Sequence, residues 1–178
     1  MSDINVLVVV GSLRGASLNR ELAEVVAENP PQGVRIEIAQ GIGEVPFYNE
    51  DVDGAEAPTA AVALREKIAA ADALLLLAPP NNGTLSAVLK NVIDWGSRPY
   101  GASALSGKRV ALAGVGHRLD TTLADAERAV TIAGGEVPEG LIVEFPISGL
   151  EGKSPREHDD AGRRARDLVA RLVEPVRA

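Results

Sequence analysis

The chain has no cysteine. Disulfides, thiolate metal sites and a cysteine nucleophile are therefore excluded. It has only two histidines, His117 and His158. They lie far apart, with no His-Glu-x-x-His run, and give no metal signal. Tryptophan occurs once, as Trp95, and reads as a core or subunit-interface anchor rather than a ring stacked on a ligand. No run of about 18 apolar residues exists, which argues against a membrane span. No basic stretch precedes the first apolar run, Ile4 to Val10, which follows Asp3 and leads into a polar loop. The expectation is a cytoplasmic protein without a secretory signal. Gly-x-Ser-x-Gly and Gly-x-x-x-x-Gly-Lys are both missing, so neither a hydrolase elbow nor a Walker loop is present.

Basic residues are outnumbered, 18 to 25, for a net charge of -7. That balance opposes broad contact with nucleic acid or an anionic membrane. It leaves room for one small positive pocket. Apolar residues make up 46% and charged residues 24% of the 178 positions, as in ordinary globular proteins. The length fits one domain over residues 1–178.

Ile4 to Val10 is almost continuously apolar and β-branched, which suits a strand buried on both faces. Leu18 to Ala27 carries apolar residues at helical spacing. Val34 to Ala39 reads as a strand and Thr59 to Ala71 as a helix. Ala73 to Ala78 holds four consecutive leucines between Asp72 and Pro79, and reads as a central strand. Ser86 to Trp95 is a short helix, with Asp94 and Arg98 spaced to pair on one face. Arg109 to Gly114 is a strand, Thr121 to Ile132 a helix, and Leu141 to Phe145 a fifth strand. Pro155 opens the last helix, which runs to about Val173 and carries His158 on its surface. This alternation implies an α/β protein with a parallel sheet covered on both faces.

Ligands of such sheets bind beyond the carboxyl ends of the strands. Three polar segments fall there: Gly11 to Arg20, Pro79 to Thr84, and Val115 to Thr121. The first offers Ser12, Ser17 and Asn19, the unpaired amides of a helix start, and the guanidinium of Arg14. That chemistry suits a phosphate; the plainer reading makes Ser17 a helix cap and Arg14 a solvated side chain. Gly114-Val115-Gly116 lacks the third glycine of a dinucleotide fingerprint, since Leu119 stands in its place. It also follows the fourth strand, so a nicotinamide-binding Rossmann site fits poorly.

Two runs carry a family resemblance. Gly11-Ser12-Leu13-Arg14 with Asn19-Arg20 resembles the phosphate loop of the NADPH-dependent FMN reductases. Leu89-Lys90-Asn91-Val92-Ile93-Asp94-Trp95-Gly96-Ser97-Arg98-Pro99 resembles that family's second signature. Pro46-Phe47-Tyr48-Asn49 is similar to its connection after the second strand. The likeness covers roughly residues 4–145.

The resemblance implies a flavodoxin-like three-layer fold with strand order 2-1-3-4-5. It implies FMN as cofactor, NADPH or NADH as donor, and a quinone-like or other small acceptor. Ser12, Arg14, Ser17, Leu18 and Asn19 would surround the FMN phosphate. Pro79, Pro80, Asn81, Asn82, Gly83 and Thr84 would face the ring, with Val115, Gly116 and His117 approaching from another side. No catalytic side chain and no metal ligand are expected. The helix containing Lys90 to Trp95 would be largely structural, and a homodimer or homotetramer is implied.

The sequence departs from the family in two places. Pro79-Pro80-Asn81-Asn82 stands where Pro-Glu-Tyr-Asn is common, so an amide donor and an aromatic surface are lost. His117-Arg118 stands in a loop that usually holds small residues. It reads as a solvent-facing pair, or as a contact to substrate or to the donor's phosphates. The altered ring-facing loop leaves two alternatives to a reductase: a flavin-binding electron carrier or interaction protein, and a flavoenzyme specialised for a larger substrate.

Overall fold

A computed structural model describes residues 3–177. The first strand, β1 (Ile4–Val10), buries Val6 to Val10 completely. It does so because it lies between two neighbours, β2 (Val34–Ile38) and β3 (Ala73–Leu77). Val6 to Val10 pair in register with Ala73 to Leu77, so the two most apolar runs form the sheet centre. The strand β6 (Arg109–Gly116) pairs with β3, and β7 (Ile142–Pro146) forms the far edge. All four pairings are parallel. Between β3 and β6 in the chain lies a two-stranded hairpin, β4 (Pro80–Asn81) with β5 (Thr84–Leu85), outside the main sheet. The main order β2-β1-β3-β6-β7 is therefore the expected flavodoxin-like 2-1-3-4-5.

Alternate residues of each strand enter opposite cores. Leu7, Val9, Leu74, Leu76 and Leu112 face α2 (Thr59–Ala70), α3 (Ala87–Gly96) and α4 (Leu119–Ile132). Val6, Val8, Val10, Leu75 and Ala113 face α1 (Leu18–Glu28) and α5 (Asp159–Val173). Helix α5 buries Ala161, Ala165, Leu168, Val169 and Leu172, a single stripe at helical spacing.

Two helix starts and one strand end differ from the sequence expectations. Helix α5 begins at Asp159, not Pro155, because the Ser154–Glu157 turn closes on itself. His158 then caps the helix, its Nδ1 accepting from the Ala161 amide at 3.2 Å. Strand β6 continues to Gly116, paired with Pro146. Helix α4 starts at Leu119, two residues early, because Arg118 turns the chain at φ 54°.

The long connection from 40 to 58 is held down by the signature helix α3. The Asn91 side chain accepts from the Tyr48 amide at 2.9 Å and donates to the Val45 and Pro46 carbonyls. Trp95 is fully buried; its indole N–H donates to the Pro46 carbonyl at 2.8 Å, and its ring meets Tyr48 edge-on. Asp94 does not pair with Arg98. It takes Lys90 one turn earlier, while Arg98 crosses to Asp53 and lies over the Tyr48 ring. Asp53 also holds Arg65 at 2.9 Å and accepts from the Tyr48 hydroxyl at 3.3 Å. Burial pushes the Tyr48 phenol above its ordinary value, Arg98 pulls it down and Asp53 raises it again. Tyr48 is thus a neutral donor to Asp53. Among the described residues no helix is long and apolar enough to cross a membrane.

Candidate functional site

The carboxyl ends of β1, β3 and β6 bring the three polar loops together around a cavity of about 960 Å³. Glycines let the loops meet. The Gly11 carbonyl accepts from the Ser86 hydroxyl at 2.6 Å, and a Cβ on Gly11 would lie 2.9 Å from the Pro79 ring. A Cβ on Gly114 would lie 2.5 Å from the Ala78 carbonyl oxygen. One on Gly116 would lie 2.5 Å from both Cδ and Cγ of Pro80. No real Cβ contact is that short, so each glycine is required by the close approach. The Gly114-Val115-Gly116 pattern is therefore a packing device between the second and third loops.

The first wall is the loop from Gly11 into α1. Ser12, Arg14, Ser17, Leu18 and Asn19 all line the cavity. The Ser17 hydroxyl accepts from the Arg20 amide at 3.4 Å and caps the helix. Other first-turn amides of α1 have no intrahelical acceptor. The Arg14 side chain curls over its own loop, donating to the Ala16 carbonyl at 2.8 Å. Asn19 is buried and braces the first loop to the third. Its amide donates to the Val115 carbonyl at 3.0 Å, and its oxygen accepts from the Val115 amide at 2.9 Å.

The second wall is the hairpin. Pro79, Pro80, Asn81, Asn82 and Gly83 line the cavity. Asn82 and Gly83 both have positive φ, 52° and 82°, as a tight two-residue hairpin turn requires. Thr84 is not brought to this cavity. The strand's alternation turns it to the other side, where its hydroxyl donates to Asp125 on α4 at 2.7 Å and its carbonyl accepts from Thr122. Thr84 lines a separate apolar groove between α3 and α4, with exposed Tyr100 and Ile132 at its rim.

Val115, Gly116, His117 and Arg118 form the third wall. The sequence reading missed Ser86, Ala87 and Val88 at the start of α3, and Ile147 in the turn after β7. Ser86 carried a signal: a serine preceding an apolar helical run, whose hydroxyl accepts from the Leu89 amide. Ile147 follows the same carboxyl-end rule that selected the other loops. No aspartate or glutamate lines the cavity among the described residues.

The family described as NADPH-dependent FMN reductase matches residues 4–138. The chain belongs to that family. It is 46% identical over 116 residues to a quinone reductase of Pseudomonas putida, covering 65% of this chain and 62% of the relative. It is 40% identical over 111 residues to a 2-hydroxy-1,4-benzoquinone reductase of a Burkholderia species, covering 62% and 60%. These matches span less than two thirds of the relatives' own length. Among solved structures it resembles a flavoenzyme NAD(P)H:(acceptor) oxidoreductase from Paracoccus denitrificans. The TM-score is 0.73, with 26% identity and 96% of each chain covered. The match over residues 4–138 contains β1, β3 and β6 and all three loops, so every lining residue of the cavity in this FMN reductase family member except Ile147 lies inside the family region.

Proposed function

We propose that this chain is one flavodoxin-like domain acting as an FMN-dependent NAD(P)H oxidoreductase that reduces a quinone-like or other small acceptor. The observation that carries the proposal is a cavity at the carboxyl end of a parallel sheet, with a serine- and arginine-bearing helix start on one wall. Among the described residues no carboxylate lines the cavity, which suits a dianionic phosphate, and the close contacts at Gly11, Gly114 and Gly116 fix the loops around it.

In this reading Ser12, Arg14 and the first turn of α1 hold the phosphate. Asn81, Asn82 and Gly83 on one wall, and Val115 to His117 on the other, hold the ring. When bound, the flavin supplies hydride acceptance and electron transfer. The protein's own task is to orient the ring and exclude water from it, and no side-chain acid or base is needed. Pro80 offers no amide to the ring, so the polar contacts on that wall fall to Asn81, Asn82 and Gly83. The apolar groove between α3 and α4, with Tyr100 and Ile132 exposed, supports a homodimer or homotetramer. A cytoplasmic location fits the donor.

Anaerobic mixing of FMN-loaded protein with NADPH, and separately with NADH, tests the reductase reading. The oxidised-flavin absorbance is expected to fall with at least one donor and return on adding benzoquinone. A flavin that stays oxidised with both donors would leave the electron-carrier reading in its place. Arg14→Ala is expected to raise the FMN Kd by about tenfold to a hundredfold, the loss of one charged hydrogen bond. Riboflavin, which lacks the phosphate, should be affected far less; equal losses in a fluorescence titration would contradict the phosphate role.

A further inference from the structure

The cavity is lined by two arginines although the chain is acidic. The net charge is -7, yet the cavity wall holds Arg14, His117 and Arg118 and no carboxylate among the described residues. The two arginines stand on different loops. Arg14 sits beside the start of α1 and belongs to the proposed phosphate subsite. Arg118 sits on the third loop, at the end of β6, and is exposed. Arg65, Lys67, Lys90, Arg98, Arg128, Arg156 and Arg163 all pair with carboxylates, and no carboxylate of the described residues pairs with Arg118. Asp120 is the nearest acid in sequence and does not line the cavity.

The backbone at Arg118 is informative too. It holds φ 54° and ψ 48°, a left-handed conformation that glycine takes freely and an arginine takes at a cost. Arg118 also precedes α4 without giving it a side-chain cap. The positive end of that helix dipole therefore adds to the guanidinium at the same edge. An exposed guanidinium with no carboxylate partner among the described residues, carried on a constrained backbone beside a cavity and a helix start, is suited to a planar or tetrahedral anion.

Resting on the proposed reductase function, we propose that Arg118 is a specificity-determining residue that binds an anionic substituent on the second small molecule to enter the cavity. Two sources share that chemistry. One is the 2′-phosphate that distinguishes NADPH from NADH. The other is a sulfonate or carboxylate on an aromatic acceptor.

The variants are Arg118→Gly, which suits the left-handed backbone and removes the charge, and Arg118→Lys, which restores a charge without the fork. In the donor arm, kcat/KM is measured with NADPH and NADH. In the acceptor arm, it is measured with benzoquinone and anthraquinone-2-sulfonate. Arg118→Gly is expected to reduce the preference for the anionic member of one pair by about tenfold or more, with partial recovery in Arg118→Lys. The arm that responds names the source. Calorimetry with adenosine 2′,5′-bisphosphate and with anthraquinone-2-sulfonate, on the full chain with and without FMN, reads the same contrast without turnover. Preferences unchanged in both arms, and unchanged calorimetric affinities, would overturn the proposal. A loss confined to FMN affinity would overturn it also, by making Arg118 a cofactor ligand. Failure of the unmodified chain to take up FMN is a separate result that removes the proposed function. The flavin-free calorimetry still decides the role of Arg118 in that case.

Discussion

Gly116→Val is expected to weaken FMN binding by at least about tenfold and to lower stability by about 1–3 kcal/mol, the usual range for overpacking. The new Cβ would lie 2.5 Å from two ring atoms of Pro80. A proline ring has little freedom to turn aside. Relief must therefore come from moving the hairpin, which Thr84 ties to Asp125 and Thr122 on α4. The clash and the ties together displace the wall proposed to face the flavin ring. Gly54→Ala is the control, since a Cβ there meets nothing within 4 Å. FMN titration and thermal melting check both effects. A Gly116→Val protein with unaltered affinity and melting temperature would show that the hairpin and β6 are not in the contact described.

Trp95→Ala is expected to cost about 3–5 kcal/mol and lower the melting temperature by about 10 °C or more. The side chain is fully buried, and three interactions meet on it. Its N–H donates to the Pro46 carbonyl, its ring packs edge-to-face with Tyr48 at a centroid distance of 5.0 Å, and Arg65 lies 5.6 Å from its ring centroid. Removal leaves a cavity under the 40–58 connection and takes one of its two donors from the Pro46 carbonyl, the other being the Asn91 side chain. Trp95→Phe keeps the ring contact and loses only the hydrogen bond, so a smaller loss of about 1–2 kcal/mol is expected. Circular dichroism is the suitable probe, because this is the chain's only tryptophan. A shift of less than about 2 °C in Trp95→Ala would contradict its role as the anchor of that connection.

The sheet was legible because its central strands are buried on both faces. Ile4 to Val10 and Ala73 to Leu77 are continuous apolar runs for the same reason that they pair in register. The loop positions followed from the strand ends. What escaped was short or long-range. The β4–β5 hairpin has two-residue strands, and Pro79-Pro80 reads as plain loop. Its signal was the Asn82-Gly83 pair, which supplies two left-handed residues. Thr84 was read with the ring-facing loop because its strand was not foreseen, and the structure ties it to α4 instead. The bidentate tie from Asn19 to Val115 spans 96 residues, and the Arg98–Asp53 pair joins two segments without local periodicity. Neither leaves a trace in spacing, whereas the tempting Asp94–Arg98 spacing was satisfied by Lys90 instead. Arg118 was legible as a departure from a small-residue loop, but its left-handed backbone and lack of a carboxylate partner were visible only in three dimensions.

The central claim is that the cavity beyond β1, β3 and β6 holds FMN and does so through its phosphate. Equilibrium titration of the unmodified chain with FMN and with riboflavin, followed by flavin fluorescence, tests it most directly. One FMN is expected to bind per chain, with riboflavin bound at least about tenfold more weakly. Equal affinity for the two flavins, or no saturable binding of either, would contradict it.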